Sequence, residues 1–92
     1  MVSIAVKVVA VYNKFNSDFG DLIYKCVDKQ GNTYLIEYNG VIPFKNYLAL
    51  DIRTYERDGD IITPIDYSFY PLDVIDGKFS LFGKPYKTDK IN

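Results

Sequence analysis

The stretch that most constrains this chain runs from Gly20 to Gly40, GDLIYKCVDKQGNTYLIEYNG. Two aromatic and β-branched runs flank a polar break at Asp28–Lys29–Gln30–Gly31–Asn32. Runs of this kind joined by a short Gly-containing link predict an antiparallel hairpin, with arms over residues 21–27 and 32–38. The first arm sets Leu22, Tyr24 and Cys26 against Ile23, Lys25 and Val27. The second sets Tyr34, Ile36 and Tyr38 against Thr33, Leu35 and Glu37. Both faces of both arms carry apolar residues, so periodicity leaves open which face is core.

The segments on either side also read as strands. Residues 2–14, VSIAVKVVAVYNK, are rich in Val and Ile, which lose side-chain freedom in a helix and pack well on a pleated surface. Ile4, Val6, Val8, Ala10 and Tyr12 share one phase, and Val9 and Val11 make the other partly apolar. This pattern suits a long, curved first strand in a closed barrel. Residues 15–20, FNSDFG, carry turn chemistry. Residues 39–46, NGVIPFKN, form a short connection in which Pro43 argues against a regular helix.

Residues 47–56 alternate, with Leu48, Leu50 and Ile52 in one row and Tyr47, Ala49, Asp51, Arg53 and Tyr55 in the other. Arg57–Asp58–Gly59–Asp60 marks a turn. Residues 61–70 resume as a strand in which Ile65, Tyr67 and Phe69 share a phase and Pro64 indicates an edge or a bulge. After the turn signal Asp76–Gly77, residues 78–82 form a short sixth strand. Residues 83–92 read as a polar, extended end.

Short strands at even spacing with turn chemistry between them predict an all-β domain, a small five- to six-stranded barrel. Residues 1–76 form the barrel and residues 77–92 a short strand with a basic tail. Phe79, Leu81 and Phe82 are too apolar to leave in water. The segment 78–82 is therefore expected either to dock on the barrel or to form a homodimer contact.

Several chemistries are excluded. The chain has no histidine, so Ser-His-Asp and Cys-His nucleophilic sites cannot be assembled from it. Cys26 is the only cysteine, which rules out an intramolecular disulfide and a structural zinc site of the usual ligands. No phosphate-binding glycine loop occurs, and Asp58–Gly59–Asp60 lacks the acidic pattern of an EF-hand. No enzyme activity and no cofactor are expected.

What remains is tyrosine interleaved with positive charge, in a chain of 92 residues with nine Tyr, six Phe and no Trp. Tyr24 neighbours Lys25, Tyr34 and Tyr38 share a phase, and Tyr47, Arg53 and Tyr55 share a row that Arg57 follows. Rings that stack on bases, with cations that track phosphates, hold single-stranded nucleic acid. Charge is unevenly distributed. Residues 51–76 hold two Arg against seven acids, and residues 77–92 four Lys against one Asp. The acidic segment suggests a second function class, a small adaptor or inhibitor that meets a basic groove on a protein of nucleic-acid metabolism. The apolar run from Ile4 to Tyr12 is broken by Lys7 and is too short to cross a bilayer, so a cytoplasmic protein without a membrane partner is expected.

The stretch GDLIYKCVDKQGNTYLI followed by YLALDIRTYERDGDIITPIDYSFYP resembles the strand 2–3 and strand 4–5 hairpins of small OB-fold proteins, including some from phages and mobile elements. The resemblance covers about residues 4–72 and implies an OB-like barrel, with an SH3-like barrel as the alternative. Where an OB-fold usually carries a helix between its third and fourth strands, only GVIPFKN stands here. The resemblance implies binding on the face of strands two and three. By position it implicates Tyr24, Lys25, Tyr34 and Tyr38, with Arg53 and Tyr55 beside them.

Overall fold

The computed structural model describes residues 1–14, 21–42 and 46–89. The turn expected at 15–20, the Pro43 position and the last three residues lie outside that set. Among the described residues all regular structure is strand, as the alternating patterns require: β1 (Val2–Asn13), β2 (Leu22–Val27), β3 (Thr33–Tyr38), β4 (Leu48–Asp58), β5 (Ile61–Pro71), β6 (Asp73–Ile75), β7 (Lys78–Leu81) and β8 (Lys84–Pro85). Among the same residues no helix is long and apolar enough to cross a membrane.

The first five strands pair as a closed ring in the order β1-β2-β3-β5-β4, a closed barrel. The long first strand serves two neighbours in turn. Val2–Val6 pair antiparallel with β4, and Lys7–Asn13 pair antiparallel with β2. A parallel pairing, Leu35–Ile36 of β3 against Ile61–Ile62 of β5, closes the ring. Ile4, Val6 and Val8 fill the interior with Tyr24, Cys26, Tyr34, Ile36, Leu50, Ile52 and Ile62. Each aliphatic side chain removed from water here contributes about 1.5–3 kcal/mol.

Burial resolves the hairpin faces: Tyr24 and Cys26 of β2, with Tyr34 and Ile36 of β3, point inward. The single phase read for β1 does not persist. The register shifts between Val8 and Ala10, a β-bulge that leaves Val9 without an opposite residue. Beyond it Val11 joins the core, and Ala10 and Tyr12 turn outward. In β4–β5 the register shifts around Arg53 and around Ile65, next to Pro64. Ile65 is accordingly exposed, whereas Tyr67 and Phe69 pack on the core.

Ile42, in the connection after β3, seats in the same core. The Tyr24 hydroxyl brackets this connection: it donates to the Gly40 carbonyl at 2.7 Å and accepts from the Ile42 N–H at 3.2 Å.

Strands β6, β7 and β8 form a separate sheet. Its first strand begins inside the stretch assigned to the barrel, residues 1–76, and its two connections are two-residue turns. Asp76–Gly77 and Phe82–Gly83 all have positive φ (52° and 75°, 52° and 78°), as such tight hairpins require. Phe79 and Leu81 pack on the barrel's outer surface at Ala5 and Ala49, beside Tyr47, Tyr70, Leu72 and Tyr86. The two alanines let the sheet approach closely. The apolar segment thus docks on its own barrel, as part of a second sheet rather than as an added barrel strand. Phe82 stays in solvent, 77% exposed, with an edge contact to Tyr70 at 5.4 Å.

The described end of the chain is tied down rather than extended into solvent. The Tyr86 hydroxyl donates to Asp51 at 2.6 Å. The Asp89 N–H donates to the Ser3 carbonyl, and the Ser3 N–H donates to the Asp89 carboxylate.

Candidate nucleic-acid interface

Strict alternation sends Ile23, Lys25 and Val27 of β2 to the outer surface, opposite Glu37, Leu35 and Thr33 of β3. The bulge in β1 adds Ala10 opposite Lys25 and Tyr12 opposite Ile23. The result is an outer face on which Ala10, Tyr12, Ile23, Val27 and Leu35 surround Lys25, with Thr33 and Glu37 at its ends. At its edge the Lys14 ammonium lies 2.7 Å from the Glu37 carboxylate, a bond that raises the lysine pKa. The tip of the β4–β5 hairpin stands beside this face, because Ile61 pairs with Leu35.

Between face and tip lies a groove of about 550 Å³, lined by Tyr12, Lys25, Thr33, Tyr34, Leu35, Arg57, Asp60 and Ile62. Tyr12 is 50% exposed. Arg57 is shaped by its Nε–H donating to the Gly59 carbonyl at 3.1 Å. The groove therefore offers a half-exposed ring, apolar walls and two cations against one carboxylate.

The residues singled out in the sequence are not all brought here. Lys25 and Arg57 line the groove together, with Tyr34 as part of its floor. Tyr24 and Tyr34, 2% and 8% exposed, are core residues and cannot act as surface stacking platforms in this conformation. The inward phase of β2 and β3 places them there, and internal partners satisfy their hydroxyls. Tyr24 holds the β3–β4 connection, and Tyr34 donates to Asp28 at 3.3 Å. Burial, followed by the Asp28 charge, raises the Tyr34 pKa. Tyr38 is half-buried and meets Tyr67 and Phe69 edge-on at 5.6 and 5.1 Å. Its ring packs against the barrel core with those two rings.

Arg53 lies on the hairpin arm, its guanidinium spanning Asp66 at 2.9 Å and Ser68 at 3.0 Å. Tyr55 is exposed on the same arm, opposite Pro64. Neither lines the groove. Tyr12 and Leu35 do, and sequence pattern marks neither as a binding residue. Leu35 could have been found from its place in register beside Lys25. Tyr12 could not, because its orientation depends on the bulge.

Cys26 is buried against the Tyr24 carbonyl, and burial pushes its thiol up to about 12. It is a packing residue, not a nucleophile. Among the described residues no three His, Cys, Asp or Glu side chains come together as a metal site.

The class defined by these observations is an all-β barrel domain with an open, mildly basic groove on one face. No family model, curated protein or solved structure matches the chain.

Proposed function

We propose that the chain is a non-enzymatic binding module with an OB-like barrel, which holds single-stranded nucleic acid across the outer face of β1, β2 and β3. The groove itself carries this reading: Tyr12, Lys25, Leu35 and Arg57 converge on it from three strands and the tip of a hairpin. An OB-fold is a five-stranded Greek-key barrel that binds oligonucleotides on its strand 2–3 face between the first and fourth loops. The ring order and the parallel return of β5 onto β3 support the assignment. Tyr12 replaces the buried tyrosines as the stacking ring, and Lys25 and Arg57 track phosphates.

A fluorescent oligonucleotide titrated at low and moderate salt tests the reading. Tyr12→Ala should weaken binding by about 1–3 kcal/mol, the usual value of one stacked base. Lys25→Gln should reduce the salt slope by roughly 0.7 for each phosphate that the lysine neutralises. Absence of binding at low salt, or indifference to both substitutions, refutes it.

A second reading, an adaptor or inhibitor that docks on a basic protein surface, is favoured by the exposed end of the β4–β5 hairpin. Glu56, Asp58, Asp60 and Asp66 all face solvent there. Recovery of a stoichiometric partner that survives nuclease treatment would favour this reading, and nuclease-sensitive recovery the first.

A further inference from the structure

A second cavity, of about 470 Å³, shares only the buried Tyr34 with the groove and lies between the β2–β3 turn, the small sheet and residues 86–89. Its size falls within the range of small-molecule sites, about 300–1,000 Å³. Ala5, Phe79 and Pro85 supply apolar wall, and Lys29 and Lys78 line it as well.

The lining holds two lysines and two aspartates, and their hydrogen-bonding capacity is unequally used. Asp28 uses both oxygens on its own turn, accepting from the Gln30 and Asn32 N–H groups, the Asn32 side-chain amide and the Tyr34 hydroxyl. Asp89 accepts from the Ser3 N–H at 3.0 Å. The partners of both aspartates are neutral, so the carboxylates keep their charge while their oxygens accept these bonds; the lysines have no anionic partner among the described residues. Lys29 donates to the Gly77 carbonyl at 2.5 Å and stands 4.7 Å from the centre of the Phe79 ring, and both of these partners are neutral. Lys78 forms no side-chain hydrogen bond or ion pair among the described residues. The Ser3 N–H and C=O both face Asp89. Strand geometry turns those of Ala5, two residues on, to the same edge, which places a backbone donor at the cavity wall.

We propose that this cavity binds a small amphipathic anion, a carboxylate with a short apolar body. The body lies on Ala5, Phe79 and Pro85, and the carboxylate lies between the Lys29 and Lys78 ammonium groups. The site shares only the buried Tyr34 with the nucleic-acid groove, and its test reads the two sites separately.

The probe is octanoate, with octan-1-ol as its uncharged counterpart, titrated into the isotopically labelled full chain and followed by amide chemical shifts. Octanoate should move the amides of Ala5, Lys29, Gly77 and Phe79 and leave those of Tyr12 and Arg57 in place. Octan-1-ol and the Lys29→Gln/Lys78→Gln chain should each bind about tenfold more weakly, the loss expected for a charge-assisted contact. Lys78→Gln alone, at an exposed side chain, should weaken octanoate in the same direction and leave the spectrum of the free protein intact. This keeps the test sound if loss of the Lys29 tether disturbs the fold. Shifts scattered over the surface, equal binding of acid and alcohol, or octanoate affinity unchanged by Lys78→Gln would overturn the proposal.

Discussion

Replacing Tyr24 with Phe removes one oxygen atom and changes nothing else about the ring. Its consequence can be worked out because that oxygen has two known partners. It donates to the Gly40 carbonyl at 2.7 Å and accepts from the Ile42 N–H at 3.2 Å. Ile42 is 3% exposed, so water cannot replace the missing acceptor. A buried donor left without a partner costs about 1–3 kcal/mol, more than the net gain from an ordinary hydrogen bond. The Gly40 carbonyl is only half-buried and can turn to solvent, so the cost falls chiefly on the Ile42 amide. The expected destabilisation is about 2 kcal/mol, equivalent to a fall of roughly 8–16 °C in Tm for a domain of this size. Urea unfolding followed by far-ultraviolet circular dichroism should show a lower midpoint with an unchanged slope, because the surface exposed on unfolding is the same. Tyr34→Phe is the matched control: it gives up a longer bond, 3.3 Å, to an Asp28 carboxylate that keeps its other donors, and should cost less. A loss below about 0.5 kcal/mol for Tyr24→Phe would refute the bracket, since it would mean that the Ile42 amide needs no partner.

Two further outcomes follow from the same structure. Phe79→Ala should cost about 2–4 kcal/mol through weakened packing on Ala5, Ala49 and Tyr47; hydrogen exchange should quicken in residues 73–86, and undisturbed exchange there would mean that the small sheet does not depend on this ring. Cys26 and Tyr67 are both held up to about 12, the thiol by burial and the phenol first by its hydrogen bond with Tyr38 and then by burial; the stability their neutral forms contribute is complete below the unfolded values of 9.0 and 10.0 and is lost as pH rises through the folded ones, so the urea midpoint should fall between pH 9 and about 12, and a flat midpoint across that window would contradict both assignments.

The five long strands are legible in the sequence because each carries enough residues to show a period. In the described turns after β2 and β4, Gly31 and Gly59 stand where the backbone takes a positive φ. β6 and β8 are not legible, since three and two residues cannot display a repeat. The inner face of the central hairpin is hidden for a different reason. Ile23, Val27 and Leu35 are apolar yet point outward, and tyrosines whose hydroxyls find partners inside take the core positions. Hydrophobicity alone therefore ranks the two faces as equals, and only closure of the ring, a contact between β3 and β5 more than twenty residues apart in sequence, separates them.

The candidate groove depends on one backbone irregularity. Without the bulge at Val9, unbroken alternation would carry Tyr12 inward with Ile4, Val6 and Val8. The outer face of β1 beside Lys25 would then present Val9 and Val11 instead of Ala10 and Tyr12. With the bulge, Val11 takes the core position opposite Tyr24, and the Tyr12 ring lines the groove with Lys25 and Leu35. The same shift lets one strand serve β4 with its first half and β2 with its second, because a bulge sharpens the local twist that the turn between partners requires. Closing the barrel and exposing the ring are thus consequences of one extra residue. This explains why a sequence reading that assigns β1 a single phase recovers the core of its first half and misplaces Tyr12, the side chain in its second half that lines the groove.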